Sequence, residues 1–318
     1  MKTSEKMAGL ARMAGAERQR LAQRLFNRGF TLIEMVIVIA LIGVVSSMVA
    51  LFIRFPVVSY LDSAARADVT DTGDAALRRM ARDVRLALPN SLRVATDTSN
   101  NLYLEMILTR TGGRYLSTDD NPTVAGNPLN FAVSTQTTFD IVGPAHTAVG
   151  DPQQMQAGSD SVVVYNLGPG IAPADAYNGT NSALITAVST VNNVTTITMQ
   201  SNPFAIENPS MPSPYHRFQV ISGPVTYAWN ITAKTLTRYW GYAAAETQPN
   251  STATGTLTTA RNALMATGVS QCSFLYSQTN SLSNALLEID LVLQAPSTDV
   301  GDAGSVSLFQ QIHVDNTP

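Results

Sequence analysis

The sequence predicts an α+β protein: a long N-terminal membrane-spanning helix followed by a globular domain of mostly antiparallel β-sheet. Three observations carry that expectation. A basic stretch runs directly into an unbroken apolar segment; one-sided helical periodicity continues beyond it; and after Pro89 the apolar positions fall into short runs divided by turn residues. The 318 residues are 45% hydrophobic and only 14% charged, which supplies a core and argues against disorder, collagen or a coiled coil.

The first element is marked by charge. Lys2, Lys6, Arg12, Arg18, Arg20, Arg24 and Arg28 face only Glu5 and Glu17 within residues 1–29, whereas the remainder of the chain is acidic. From Phe30 to Ile53 a single charge, Glu34, interrupts the apolar run. A helix of that length rises about 36 Å, enough to cross a bilayer. The basic flank keeps the N-terminus cytoplasmic and exports the chain beyond Ile53, with Arg54 a small opposing influence. An ordinary secretory signal has a shorter apolar region and a cleavage site behind it. Here the natural break, Arg28-Gly29-Phe30, lies in front, so processing there would retain the membrane helix.

The helix is expected to continue over residues 54–88. Leu61, Ala65, Val69, Ala76, Leu77, Met80, Val84 and Leu88 recur at three- and four-residue steps. Asp62 with Arg66, Asp74 with Arg78 and Arg79 with Asp83 read as pairs on the opposite, solvated face. The cluster Arg78, Arg79, Arg82 and Arg85 reads as a solvated or domain-facing surface. Pro56 removes one backbone hydrogen bond and should kink or locally melt the rod, while Pro89 ends it.

Residues 89–318 are expected to form the β-rich domain. Candidate strands are 92–96, 102–109, 161–167, 183–188, 194–200, 217–222, 225–230, 235–242, 270–277, 286–294 and 305–314. Asn192-Asn193 reads as a hairpin turn, and Gly223-Pro224 as a break between two strands. The stretches 111–130, 144–160, 168–180 and 201–216 read as loops or insertions.

Arg28-Gly29-Phe30-Thr31-Leu32-Ile33-Glu34 resembles the class III signal of type IV prepilins and type II secretion pseudopilins. The resemblance implies cleavage between Gly29 and Phe30 by a prepilin peptidase, N-methylation at Phe30, and an assembly role for Glu34. The 29-residue leader is long for that group, and Met7 or Met13 would serve equally as a start. The chemistry of Glu34 agrees. A carboxylate in the first turn of a membrane helix is costly, and the amino group of a neighbouring subunit would neutralise it. The order of the strand segments from Arg217 onward is similar to J-type pseudopilins and to large minor pilins of the MSHA (mannose-sensitive haemagglutinin) pilus. That likeness implies a low-abundance subunit that helps initiate and cap a filament. It also implies other minor pilins or pseudopilins and an inner-membrane assembly platform as partners. The alternative roles are a J-type pseudopilin of a type II secretion system and a tip adhesin binding a surface ligand.

Signs of catalysis are lacking. His146, His216 and His313 are scattered, and no HExxH, paired-cysteine, GxSxG or phosphate-loop pattern occurs. No enzyme activity, metal or cofactor is expected, and the charge balance disfavours nucleic acid. Asp119-Asp120-Asn121 lacks a full calcium-loop pattern and reads as a polar turn. Trp229, Tyr239, Trp240 and Tyr242 read as cross-strand packing more readily than as a sugar platform. Cys272 stands alone and is expected as a buried strand thiol.

Overall fold

The computed structural model describes residues 29–120, 126–278, 284–296 and 304–318. The chain divides into two compact units, Met1–Leu61 and Asp62–Pro318. One helix, α1 (Leu32–Arg85), runs through the boundary. Within the first unit its side chains are almost all exposed, Leu32, Ile33, Ile39, Phe52 and Phe55 among them. This stretch is long and apolar enough to cross a membrane, and none of its most apolar window is buried. Apolar residues on every face exposed together are stable in lipid and unfavourable in water. Pro56 lies inside the helix, which continues through it without a break.

Beyond the boundary the same helix becomes one-sided. Val69, Gly73, Ala76, Leu77, Met80, Ala81 and Val84 are buried, at the expected three- and four-residue steps. Arg78, Arg79, Arg82 and Arg85 are exposed, and the last two favour the helix C-terminus electrostatically. The expectation that Asp83 sits on the solvated face is overturned. It is 4% exposed, and its Oδ2 accepts hydrogen bonds from Tyr227 Oη at 2.8 Å and Arg238 Nε at 2.7 Å. The Asp74–Arg78 pair forms at the surface as expected. The helix stops at Arg85, three residues earlier than the periodicity implies. Leu88 N donates to Ile107 O at 2.7 Å and Thr109 N to Leu86 O at 2.7 Å, so sheet pairing replaces the last helical turn.

The described residues beyond α1 include twelve strands: β1 (Arg93–Thr96), β2 (Leu102–Tyr115), β3 (Thr138–Val142), β4 (Ser161–Val163), β5 (Ser182–Val191), β6 (Val194–Met199), β7 (Arg217–Asn230), β8 (Thr235–Trp240), β9 (Arg261–Thr267), β10 (Val269–Gln278), β11 (Asn284–Gln294) and β12 (Ser305–Asp315). Every pairing among these described strands is antiparallel. β5 and β6 form the hairpin expected at Asn192-Asn193, both with positive φ (49° and 62°), as a type I′ turn requires.

The strand order is not evident from local sequence. β2 and β7 are each 14 residues long and pair along nearly their whole length. The half of each nearest Leu102 and Trp229 joins β1, β8 and β9 in an open sheet. Their other halves close a ring, β2-β3-β6-β5-β4-β7 and back to β2. All six ring strands contribute to one apolar core, including Tyr115, Phe139, Val162, Ile185, Ile197 and Phe218. Two register shifts between Leu108 and Thr111, with Ser222 the extra residue on β7 and Arg110 on β2, mark the change of direction.

Two further expectations are corrected by the sheet. Residues 111–115 read as a loop in the sequence and are strand. Gly112 and Gly113 sit where a Cβ would meet Phe218 O at 3.0 Å and the Phe218 ring at 3.0 Å, so glycine permits close strand approach. Gly223-Pro224 does not separate two strands. Pro224 faces Ile107 beside the bulge, where the ladder is already disturbed, and Gly223 takes φ +113°. β10, β11 and β12 form a second sheet. The stripe of α1 shares one core with this sheet (Leu287, Ile289, Leu291, Leu293) and with the open sheet (Leu104, Val225, Tyr227).

Candidate processing and assembly site

The site begins at the head of α1. Gly29, Phe30 and Thr31 precede the first helical residue, Leu32. Phe30 is 72% exposed, and a Cβ added to Gly29 would meet nothing within 4 Å. No described contact in this chain therefore demands glycine at position 29. Arg28 and the rest of the expected leader lie outside the described residues.

Thr31 is the N-cap. Its Oγ1 accepts a hydrogen bond from Glu34 N at 3.2 Å, and its carbonyl accepts from Met35 N at 3.1 Å. With Glu34 three residues on, the local sequence is a capping box, Thr-x-x-Glu. The residues singled out in the sequence omit Thr31, although this pattern is legible there. Glu34 also gains from its place in the first turn, where the helix dipole favours an anion. It stands exposed among exposed Phe30, Ile33, Val36 and Ile37. The arrangement offers an open scissile position, a helix nucleated immediately behind it, and one carboxylate at the start of an apolar rod.

The other residues singled out in the sequence do not converge on chemistry. Among the described residues no group of three or more His, Cys, Asp or Glu could hold a metal. His146 pairs with Asp151 at 2.7 Å, and His216 lies 3.6 Å from Asp120. Asp120 is engaged by Arg114 and by Ser117 N, and Asn121 lies outside the described residues. Trp229 is buried and donates Nε1–H to Val269 O at 2.9 Å. Tyr242 donates its hydroxyl to Glu105 at 2.8 Å, and Tyr239 and Tyr242 pack on the cluster containing Tyr103 and Leu257. Arg238 stacks on Trp240, its guanidinium carbon 5.1 Å from the ring centre. These aromatics are dispersed through packing and form no platform. Cys272 is half-buried, and burial pushes its thiol pKa well up, which leaves it unreactive.

Two buried polar clusters escape sequence reasoning. Glu105, fully buried, accepts from Arg93 Nε at 2.6 Å, and Arg93 also donates to the carbonyls of Ala245 and Glu246 at 2.7 Å each. Burial raises the Glu105 pKa against the opposing pull of Arg93. Asn90, Asn166 and Asn316 form the other cluster. Asn90 N donates to Asn316 Oδ1 at 2.9 Å, Asn90 Nδ2 to Asn166 O at 3.0 Å, and Asn166 Nδ2 to Pro89 O at 2.7 Å. Isolated polar residues far apart in sequence carry no signal of such pairing.

Residues 24–50 match the family model for the prokaryotic N-terminal methylation motif. The head of this chain is thus type IV pilin-like, and it leads into an exposed apolar helix that fits a single-pass membrane anchor. Searches of curated proteins and of solved structures find no match to the chain.

Proposed function

We propose that this chain is a minor pilin that takes part in initiating and capping an MSHA-type type IV pilus. In this reading residues 1–29 are a cytoplasmic leader, residues 30–53 cross the inner membrane, and residues 54–88 extend the helix into the periplasm. Residues 89–318 form the periplasmic domain. Prepilin peptidase cleaves between Gly29 and Phe30, and Phe30 is N-methylated. Glu34 then meets the amino group of a neighbouring subunit, pairing two charges that lipid would otherwise penalise. Partners are other minor pilins and the inner-membrane assembly platform.

The methylation motif at residues 24–50, laid on an exposed apolar helix, is the observation that carries this reading. The open surroundings of Gly29 among the described residues support it, because a Cβ built there would meet nothing within 4 Å. The role in this reading is structural, as the methylation motif suggests. The test is intact mass and N-terminal sequencing of the membrane form. The expected product starts at N-methylated Phe30, and Gly29→Val should leave the precursor uncut. A mature N-terminus elsewhere, or normal cutting of the variant, would refute the assignment.

A further inference from the structure

At the end of the ring where β2 leaves and β7 enters lies a cleft of about 630 Å³, within the range of small-ligand sites. Tyr115, 1% exposed, lies at its base. Phe131 and His216 are partly exposed and flank that ring, with centroids 5.7 Å and 5.5 Å away. Ser117, Thr118, Asp119 and Asn130 complete the polar side.

The walls are held before any ligand arrives. Asn130 Oδ1 accepts from Ala132 N at 2.7 Å and Val133 N at 3.0 Å, while buried Asn202 donates to Asn130 O at 2.8 Å. This fixes the turn carrying Phe131, which also leans on Phe204 at 6.2 Å. His216 adopts φ +55°, a backbone conformation uncommon outside glycine. A turn closed by His216 N to Ser213 O at 2.9 Å and by Arg217 N to Ser213 Oγ at 3.1 Å holds it there. Arg114 Nη2 lies 3.3 Å from His216 Nδ1. The same Nδ1 lies 3.6 Å from Asp120 Oδ2, so the ring is approached by both side chains.

Charge selects the ligand class. Asp119 is the one acidic residue among the described lining and no lysine or arginine accompanies it, so anionic ligands are disfavoured. Tyr115 is covered, which leaves too little open aromatic surface for a cage around a quaternary ammonium. Hydroxyl, amide and carboxylate groups opposite a partly open aromatic wall suit a molecule with one apolar face and many hydroxyls. We infer that this cleft binds a neutral saccharide. The inference goes beyond the assembly reading and does not depend on it.

The test uses the full chain in a detergent without a sugar headgroup. Saturation-transfer NMR is run with neutral gluco-, manno-, galacto- and N-acetylglucosamino-trisaccharides, with sialyllactose and choline as charged probes. At least one neutral trisaccharide should bind, and Phe131→Ala and Asp119→Ala should each weaken it about 10-fold or more. Asp119 is exposed, so its variant keeps the fold and tests the cleft even if Phe131→Ala unfolds. The inference fails if no neutral probe binds at about 10 mM, a very weak affinity. It also fails if Asp119→Ala binds unchanged, or if a charged probe binds tighter than every neutral one.

Discussion

Single side chains in this protein carry unequal penalties. Tyr115 Oη lies buried near the Ser213 main chain but makes no hydrogen bond of acceptable geometry among the described residues. Burial and the Asp119 and Asp120 carboxylates raise its pKa to about 12, so it stays a neutral phenol. An unsatisfied hydroxyl is unfavourable, and Tyr115→Phe should therefore stabilise the domain by up to about 1 kcal/mol in urea unfolding. Asp83 is the opposite case. Removing it strands the buried Arg238 guanidinium, and Asp83→Ala should cost about 3–5 kcal/mol in the same measurement. Glu207 adds a pH dependence. Burial raises its pKa to about 7, above the ordinary glutamate value of 4.5. Below pH 4.5 both folded and unfolded chains hold the proton and nothing changes. Between 4.5 and about 7 only the folded chain holds it, so stability falls as pH rises, and above 7 the penalty is complete. Glu207→Gln should then raise stability by about 1–2 kcal/mol at about pH 8, allowing for solvent screening, and leave it unchanged at about pH 4.

At the scale of elements, connections decide as much as strands do. Gly268 links β9 of the open sheet to β10 of the second sheet, with φ +71°. A Cβ there would stand 2.8 Å from Gln294 O, and Gln294 N donates to Gly268 O at 2.8 Å. Gly268→Ala meets both backbone strain and a fixed carbonyl, and should lower the unfolding free energy by about 2 kcal/mol or more. Elements with strong local patterns are legible in the sequence: α1 from its apolar run and stripe, the β5–β6 hairpin from Asn192-Asn193, and β11 from strict alternation. β9 is not, because Arg-Asn-Ala-Leu-Met-Ala-Thr is rich in residues that favour helix, and neighbouring β8 imposes the strand. β3 has five residues among polar turns and is held by β6 from far along the chain. The end of β2 is hidden by Gly112 and Gly113, which resemble loop residues locally and act as contact points for Phe218.

For the molecule as a whole, the head of α1 is the most legible part, because a linear motif needs no tertiary partner. Gly29 and Phe30 lead directly into the helix and Glu34 lies in its first turn, while the cap at Thr31 strengthens the start. The cleft over Tyr115 is illegible, because it assembles from residues about a hundred positions apart that only ring closure brings together. In the proposed role, Glu34→Ala should leave cleavage at Gly29 and membrane insertion intact while lowering co-purification with partner pilins at least about 10-fold, a loss of one interhelical ion pair in lipid. Quantitative pull-down from membranes checks this, and undiminished co-purification would remove Glu34 from assembly.

β2 and β7 belong to the open sheet over half their length and to the ring over the other half. Neither layer can therefore unravel without tearing hydrogen bonds that the other still holds. Tyr227 of β7 donates to Asp83 of α1, so the helix is tied directly to one of the two shared strands. The two layers are thus spliced through the overlap of a pair of 14-residue strands.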